Sequence, residues 1–418
     1  MTRVRPTLLA FLAVAWLLIV DSVNRFSVGP ATLSALLTFG SVVLMGLLAL
    51  TSALGGDTDP ELAVNHRRVV PPALALFALW AVCALPFNWT SPAIQNVTVY
   101  LGFVLAIAVT GRWCTPEAAE KLLGQIQWVG WVVGLIYLVT VLRGGLGGAG
   151  LYGARTFALS AAVLLAVAVV RRRSRLLPLL LLADIVFSLS RTGTAVGILV
   201  LVLALALRGT SRVRMFRIAA FLAVGAAGAL VVFTKFTPLR DRFLGGDQAF
   251  SYGATKFNVS GRTEIWKFTW QSAQHHLWFG AGPGSAETAV SRQFITVNHP
   301  HDDYLRLIHD FGLIGLALFV IGFASLLHRT WRNGRQTGEP IHWVAFLSLI
   351  SVAGSALTDN VLVYSFVMFP VGILVGASLS GTPSRSPTDG RTADSRLGRR
   401  AARPSSTALR RRSRVAGA

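Results

Sequence analysis

The fold class is decided by residues 156–207, which read TFALSAAVLLAVAVVRRRSRLLPLLLLADIVFSLSRTGTAVGILVLVLALAL. This stretch contains three apolar blocks, separated by two short polar breaks at residues 171–175 and 190–193. A helix needs about 20 mainly apolar residues to cross the hydrocarbon layer of a bilayer, where only helices and closed barrels satisfy their backbone groups. Barrel strands would alternate apolar and polar residues, and these blocks do not. The stretch therefore predicts three membrane-spanning helices, the last two joined as a tight hairpin.

The same pattern of apolar blocks extends over most of the 418 residues. Of these residues, 53% are hydrophobic and 14% are charged, whereas soluble globular chains carry about 25% charged residues. We therefore predict an all-α, polytopic transmembrane bundle of about 12 helices. The predicted spans are residues 6–22, 31–54, 69–87, 93–110, 124–142, 156–170, 176–190, 192–207, 216–234, 305–327, 341–358 and 361–380.

The formal net charge of +21 comes from basic residues that are distributed along the chain as in a membrane protein, and not as in a nucleic-acid-binding protein. With the N-terminus inside, 27 of the 39 lysines and arginines fall in segments that would face the cytoplasm. Positive charge is enriched in cytoplasmic loops, so we predict a multi-pass protein of the bacterial cytoplasmic (inner) membrane with both termini cytoplasmic and no nucleic-acid partner. The four basic residues in short outer loops are Arg25, Arg143, Arg155 and Arg191.

Four regions follow from this topology. Residues 1–234 hold the first nine predicted helices, and residues 305–380 hold the last three. Residues 381–418 form a basic tail rich in Arg, Ser, Thr and Pro, which we predict to be disordered and cytoplasmic. Residues 235–304 form one large extracytoplasmic loop, and loops of this length are usually functional.

The large loop contains an aromatic-rich segment that predicts an amphipathic helix. Trp266, Trp270, Ala273 and Leu277 lie near one face at helical spacing. One interpretation is a helix lying on the outer membrane surface. The alternative, packing of this helix on the bundle, is left open by the sequence.

Candidate site residues gather at the predicted outer face. Arg191 lies at the tip of the hairpin between the seventh and eighth spans, and Arg262 begins the aromatic helix. His299 and His301 lie just before the tenth span. The alternative for Arg191 is a charge at the membrane interface, and for Arg262 it is a salt bridge with Glu264 or Asp247.

The end of the loop carries a recognisable motif. The run His301-Asp302, nine residues, Gly312, two residues, Gly315 resembles the signature of the O-antigen ligase and polymerase family. The stretch from His276 to Gly284, the start of the aromatic helix and the Ser-x-Ser-Arg hairpin are similar to the shared region of that family, so the resemblance covers about residues 180–330. Ligases usually carry Asn, Ser or Gln after the histidine, where this chain has Asp302, so we favour a polymerase over a ligase.

The resemblance implies a fold like that of the C-type glycosyltransferases. It also implies an enzyme that polymerises or ligates undecaprenyl-diphosphate-linked glycans for cell-surface polysaccharide, without metal or cofactor. Its partners would be the lipid-linked glycan donor, a glycan or lipid acceptor, and membrane lipid. Within that reaction Arg191 and Arg262 suit the anionic diphosphate, because guanidinium forks match phosphate oxygens. Histidine is the side chain best suited to act as a base near neutral pH, and the family motif favours His301 over His299.

Other residues are predicted to bind substrate. They are Asp184, Trp266, Trp270, His299, Asp302 and Arg306. An acidic residue inside a membrane span, such as Asp184, is a functional candidate by default. The alternative for Asp302, Asp303 and Arg306 is a set of local pairs at the start of the helix, and for Asp184 it is a hydrogen bond between helices.

The alternative function is a transporter or flippase that moves a lipid-linked glycan or a small anion. Transporters often have internal repeats and helices broken at the middle of the membrane. The two halves of this sequence show no convincing repeat, and the polar residues gather at the predicted outer surface instead. We therefore favour the enzyme.

Overall fold

The computed structural model describes residues 4–28, 31–54, 69–148, 150–207, 250–252, 255–257, 262–294 and 297–380, together with Ala219. The chain divides into two units, Met1–Gly381 and Thr382–Ala418. The second unit is the greater part of the predicted basic tail, and it lies outside the described residues.

Thirteen α-helices make up most of the described residues. They are α1 (Val4–Ile19), α2 (Leu33–Leu54), α3 (Pro72–Cys83), α4 (Ser91–Trp113), α5 (Pro116–Gly144), α6 (Ala154–Arg171), α7 (Leu176–Phe187), α8 (Arg191–Ala206), α9 (Arg262–Ala273), α10 (Ser285–Gln293), α11 (Asp303–Thr337), α12 (Pro340–Ala356) and α13 (Ser365–Ser380). Short 3-10 turns span Ser22–Arg25, Leu85–Phe87, Gln274–His276 and Val361–Val363. Two small antiparallel hairpins pair β1 (Ser27–Val28) with β2 (Ala31–Thr32), and β3 (Phe250–Tyr252) with β4 (Thr255–Phe257).

The helices agree with the all-α class predicted from the sequence. Five of them, α2, α4, α5, α6 and α11, are long and apolar enough to cross a membrane. Six shorter apolar helices, α1, α3, α7, α8, α12 and α13, account for the other predicted spans that the structure describes. The predicted span 216–234 lies, apart from Ala219, outside the described residues, so the count of twelve stays a prediction.

Local sequence explains where several helices begin. Thr115 caps α5 by accepting a hydrogen bond from the Ala118 N–H (3.3 Å), and Pro116 occupies the first helical position, where its missing N–H costs nothing. Ser190 caps α8 in the same way, accepting from the Gly193 N–H (3.1 Å). The Ser190 cap lies at the tight turn of the predicted hairpin between α7 and α8.

Glycines bring α4 and α13 into close contact. Gly372 and Gly376 are four residues apart on α13, and a Cβ added to them would lie 2.9 Å from the Phe103 carbonyl oxygen and 2.8 Å from the Ile107 carbonyl oxygen, respectively. Small residues at this spacing are common where membrane helices approach closely. The packing is therefore of the kind expected between helices in lipid.

Helix α11 is kinked at Gly312, which has φ +70°. The segment 277–282 lies against this kink and binds the backbone groups that the kink leaves free. The Leu313 N–H donates to the Leu277 carbonyl (2.8 Å), and the Ala281 N–H donates to the His309 carbonyl (2.9 Å). The kink thus joins the large loop to the bundle.

Helix α9 packs on α11 through a face that shares only Ala273 with the predicted one. Its buried residues are Ile265, Thr269 and Ala273, whereas Trp270 is 42% exposed. The α-helix ends at Ala273, so Leu277 does not continue the predicted aromatic stripe. Packing on the bundle, the second interpretation of this segment, therefore describes α9.

Contacts between distant elements define the two ends of the helix bundle. At one end, which we call the His301 end, the start of α6, the hairpin between α7 and α8, the start of α11 and the connection between α12 and α13 come together. At the other end Arg171 of α6 pairs with Glu120 of α5, and Arg329 of α11 donates to the Val69 carbonyl (2.7 Å). Which end faces the cytoplasm stays a prediction from the charge pattern.

Candidate active site

His301 lies in a strained turn directly before α11. Its φ of +55° falls in the left-handed region, which a non-glycine residue adopts only where its surroundings hold it there. The His301 N–H donates to Asn360 Oδ1 (3.1 Å), and the carbonyl of the buried Pro300 accepts from the Trp266 indole N–H (2.9 Å). Asp302 then caps α11 by accepting from the Leu305 N–H (3.0 Å). Three hydrogen bonds therefore fix the position of this turn.

The imidazole of His301 meets two donors at the same nitrogen. Arg155 Nη2 lies 2.8 Å from His301 Nδ1, and Asn360 Nδ2 lies 2.9 Å from it. A guanidinium group has only donors, so Nδ1 must accept, and the neutral ring carries its proton on Nε2. A general base needs an unprotonated nitrogen available to the acceptor. This arrangement therefore does not favour His301 as the base that the sequence predicted.

Arg155 is itself held by a buried carboxylate. Arg155 Nε donates to Asp359 Oδ2 (2.5 Å), and Arg155 Nη2 donates to Asp359 Oδ1. Asp359 is buried, with 1% of its surface exposed, and its Oδ1 also accepts from the Asn360 N–H (2.7 Å). Asp359, Arg155, Asn360 and His301 thus form one connected set, which we call the Arg155 network.

Burial and positive neighbours together keep His301 neutral. Burial makes the largest contribution to lowering the pKa of His301 below its ordinary value, and the charges of Arg155, Arg262 and Arg306 lower it further. The ring is therefore uncharged at neutral pH. Burial also raises the pKa of Asp302, against the hydrogen bonds from the Leu305 and Tyr304 backbone.

His299 has a different environment. Its Nδ1 lies 3.4 Å from Glu287 Oε2 of α10 and 3.5 Å from Arg306 Nη2 of α11. The centroids of the His299 and His301 rings are 6.4 Å apart. Arg306 is fully buried and pairs with Asp303 at 3.4 Å. The local pair weighed for Arg306 therefore exists, with Asp303 as its partner, while Asp302 serves as the helix cap.

The cations predicted to bind the diphosphate both begin helices. Arg191 is the first residue of α8, and Arg262 is the first residue of α9. The Thr192 hydroxyl contacts the Thr358 hydroxyl (2.6 Å), so the hairpin that carries Arg191 meets the loop that carries Asp359. Arg262 acts electrostatically on His301. The three predicted catalytic residues therefore lie on elements that meet at the His301 end, while their roles stay predictions.

Asp184 lies inside the bundle, fully buried on α7. Neither of its carboxylate oxygens has a hydrogen-bond partner among the described residues. A Cβ added to Gly134 of α5 would lie 3.4 Å from Asp184 Oδ2, so the carboxyl group faces α5. Its predicted role in substrate binding stays a prediction, as does that of the exposed Trp270.

A second group of polar residues supports α10. His309 contacts the Ser272 hydroxyl through Nε2 (3.0 Å) and the Ser285 hydroxyl through Nδ1 (3.0 Å). Asp310 accepts from the backbone N–H groups of Gly284 (2.9 Å) and Ala286 (2.8 Å) at the start of α10. A carboxylate at a helix N-terminus is favourable. This group positions the helix that carries Glu287.

Four residues of the site were not predicted from the sequence: Arg155, Glu287, Asp359 and Asn360. The signal for Arg155 was its position in a short loop that the charge pattern predicts to be extracytoplasmic, where positive charge is rare. Asp359 and Asn360 are the polar pair between the last two apolar spans. Within the described part of the chain, no three His, Cys, Asp or Glu side chains come together as metal ligands.

Comparison with protein families finds a match in the middle of the chain. Residues 176–320, about a third of the chain, match the family model described as O-antigen ligase. The matched segment contains Arg191, Arg262, His299 and His301, whereas Arg155 and the Asp359–Asn360 pair lie outside it. No curated protein was found to match the chain.

Proposed function

We propose, from the match of residues 176–320 to the O-antigen ligase family model, that this chain polymerises undecaprenyl-diphosphate-linked glycans for a cell-surface polysaccharide. The family indicates an enzyme in the membrane whose substrates are a lipid-linked glycan and an acceptor. The finer statement, a polymerase rather than a ligase, rests on Asp302 at the position where ligases usually carry Asn, Ser or Gln. It also rests on the large polar loop.

The observation that carries the proposal is the concentration of guanidinium groups around His301. Arg155 lies 2.8 Å from the ring, and Arg262 and Arg306 are close enough to lower the pKa of His301. A diphosphate leaving group is anionic and is stabilised by fixed cations in a site from which water is partly excluded. Arg191 and Arg262, the first residues of α8 and α9, are our proposed ligands of the diphosphate.

The proposed reaction exchanges one bond at the anomeric carbon of the donor sugar. The oxygen of an acceptor hydroxyl forms a bond to this carbon, and the bond from the carbon to the phosphate oxygen breaks. The electron pair of that bond leaves with undecaprenyl diphosphate, and the hydroxyl proton passes to a base. Trp266 and Trp270 lie on α9 beside this site, and aromatic faces of this kind can receive sugar rings or the lipid carrier.

The test is a reconstitution without a membrane gradient. Purified full-length protein in detergent would receive the undecaprenyl-diphosphate-linked glycan extracted from cells that lack this chain. A polymerase lengthens the glycan into a ladder of products, and this result supports the proposal. A transporter or flippase leaves the glycan unchanged, and a ligase transfers it once to a different lipid acceptor. Either of these outcomes contradicts the proposal.

A further inference from the structure

The connection between α9 and α10 carries two large aromatic side chains that are mostly exposed. Trp278 is 63% exposed and Phe279 is 61% exposed. The residues just before them, Gln274, His275 and His276, are polar and exposed as well. Within a few residues the surface therefore changes from polar to aromatic. An exposed apolar surface with a polar border is typical of an interaction site, including one for a membrane.

The backbone of this connection lies well along α11 rather than beside its start. The Leu313 N–H donates to the Leu277 carbonyl (2.8 Å), and the Ile314 N–H donates to the Trp278 carbonyl (3.3 Å). Ile314 is 11 residues after Asp303, the first residue of α11. An α-helix rises 1.5 Å per residue, so Trp278 lies about 15 Å from the His301 end along the axis of α11.

That level of α11 belongs to its apolar part. The run Phe311–Leu327 contains no charged residue and no histidine, whereas Asp310 precedes it and His328 follows it. A helical run of this length is about 25 Å long, close to the thickness of the hydrocarbon layer of a bilayer. Ile314 lies inside the run, so the backbone of Trp278 lies level with the edge of the hydrocarbon layer.

The side chain of Phe279 contacts a second apolar helix at the same level. The ring centroids of Phe279 and Trp80 of α3 are 6.0 Å apart. A Cβ added to Gly315 of α11 would lie 3.6 Å from Trp80 Cδ1, so this indole lies beside the apolar run. On the same helix, Leu76 and Leu79 are exposed. Phe279 therefore continues an apolar surface of α3 that faces away from the bundle.

A second aromatic pair lies beside the first. Phe87 and Trp89 are both exposed, in the connection between α3 and α4. Asn88, between them, donates through Nδ2 to the Pro283 carbonyl (2.8 Å), which ties this connection to the one between α9 and α10. The surface that we call the aromatic patch consists of Phe87, Trp89, Trp278 and Phe279. Tryptophan is enriched where membrane proteins cross the boundary between lipid and water.

From these contacts we propose that the connection between α9 and α10 enters the bilayer at the His301 end, and that the aromatic patch binds the acyl chains of that leaflet. Helix α9, which one interpretation of the sequence placed on the membrane surface, packs on the bundle instead. The lipid contact passes to the connection that follows it. His275 and His276 then lie at the level of the headgroups, above the two rings. The inference does not depend on the proposed reaction.

The first arm of the experiment measures depth with nitroxide spin labels. Each label is attached to a single cysteine of the full-length protein in vesicles of phosphatidylethanolamine and phosphatidylglycerol, with Cys83 and Cys114 replaced by serine. Oxygen concentrates in the hydrocarbon layer and a nickel chelate stays in water, so the ratio of their effects on the label reports its depth. We expect this ratio to be several-fold higher for Trp278→Cys and Phe279→Cys than for His275→Cys.

Two reference positions calibrate the ratio. Leu79→Cys places a label on the exposed apolar surface of α3, and Lys267→Cys places one on the exposed side of α9. A ratio at position 278 close to that of the Leu79→Cys label supports the proposal, whereas one close to that of the Lys267→Cys label overturns it. A label at position 278 that neither reagent reaches also overturns it, because protein then covers the patch: the predicted span 216–234 or a second copy of the chain.

The second arm keeps the native ring, so it does not depend on how a label is tolerated. Bromine on the acyl chains of phosphatidylcholine quenches tryptophan emission on contact, and iodide quenches it from water. The emission that Trp278→Phe loses relative to the wild type belongs to Trp278. We expect the brominated lipid to quench this difference and iodide to leave it unchanged. Quenching by iodide without quenching by the brominated lipid would place Trp278 in water and refute the proposal.

Discussion

Replacing Asp359 by Asn removes the charge that holds Arg155 against His301. Asp359 is 1% exposed, whereas the Arg155 side chain is 34% exposed. The truncation of one partner of a buried, hydrogen-bonded charge pair costs about 2–5 kcal/mol. Water reaches part of Arg155 and can solvate the charge left behind, so we expect a value near the lower end, about 2 kcal/mol of unfolding free energy.

The effect on the reaction should exceed the effect on stability. An asparagine at 359 accepts one hydrogen bond from Arg155 instead of the two that Asp359 accepts, so Arg155 gains freedom to move from His301 Nδ1. A displacement of about 1 Å at a catalytic group can cost about 10²-fold in rate. We therefore expect Asp359→Asn to lose about 10- to 100-fold in chain lengthening while the protein remains folded and in the membrane.

The measurement is the initial rate of glycan lengthening by purified protein, together with its thermal unfolding midpoint. A matched control is Asp21→Asn, because Asp21 accepts from the Gly153 N–H (3.2 Å) beside the start of α6 but belongs to no part of the Arg155 network. This control should keep its rate. An Asp359→Asn rate within twofold of wild type would refute the idea that the buried pair positions His301.

Three further predictions concern the cations, the topology and the cap of α11. Arg191→Lys and Arg262→Lys should each lose about 10²- to 10³-fold in rate at normal protein levels, because an ammonium group cannot reproduce the fork; full activity would reduce both to structural charges. A cysteine at Ser251 should react with a membrane-impermeant thiol reagent in intact cells, and its protection would reverse the predicted orientation. Cys114 cannot serve as the internal reference, because burial raises its pKa to about 11 and keeps it a thiol at neutral pH. Asp302→Asn keeps the cap and should stay within a few-fold of the wild-type rate, whereas Asp302→Ala should lose about 1 kcal/mol of stability, measured by thermal unfolding.

The sequence predicted the features that depend on local pattern. The turn at Ser190 lies where a capping residue interrupts an apolar run, and the end of the loop at Asp302 is the cap of α11. These features follow from neighbours along the chain. Helix caps and apolar blocks are encoded within a few residues, so they can be recognised without a structure.

The partners of His301 depend on contacts that no local pattern encodes. Arg155 and Asp359 are 204 positions apart, and Asn360 is 59 positions from His301. The choice of His301 as base rested on residue type and motif, whereas the tautomer depends on which groups surround the ring. A histidine beside a carboxylate and one beside a guanidinium group look alike in a sequence.

The face of α9 shows a second limit of the sequence. Helical spacing placed Trp266 and Trp270 on one side, but the buried side is shifted by one residue, to Ile265 and Thr269. The helical spacing of the aromatic residues therefore predicts the helix, but it does not predict which face of the helix packs on α11.

The kink at Gly312 explains why the number of residues between Asp302 and Gly312 in the motif matters for the site. A Cβ at Gly312 would lie 2.2 Å from the Trp278 carbonyl oxygen, and one at Gly280 would lie 2.4 Å from the Asp310 backbone, so loop and helix are locked together at this point. The nine residues from Asp303 to Phe311 connect this lock to His301. Each residue of an α-helix turns the chain by about 100°, so one inserted residue would swing His301 away from Arg155 and Asn360. The nine-residue spacing therefore fixes the direction of His301 relative to the lock at Gly312. Changes elsewhere in the loop that preserve this spacing do not rotate His301 out of place.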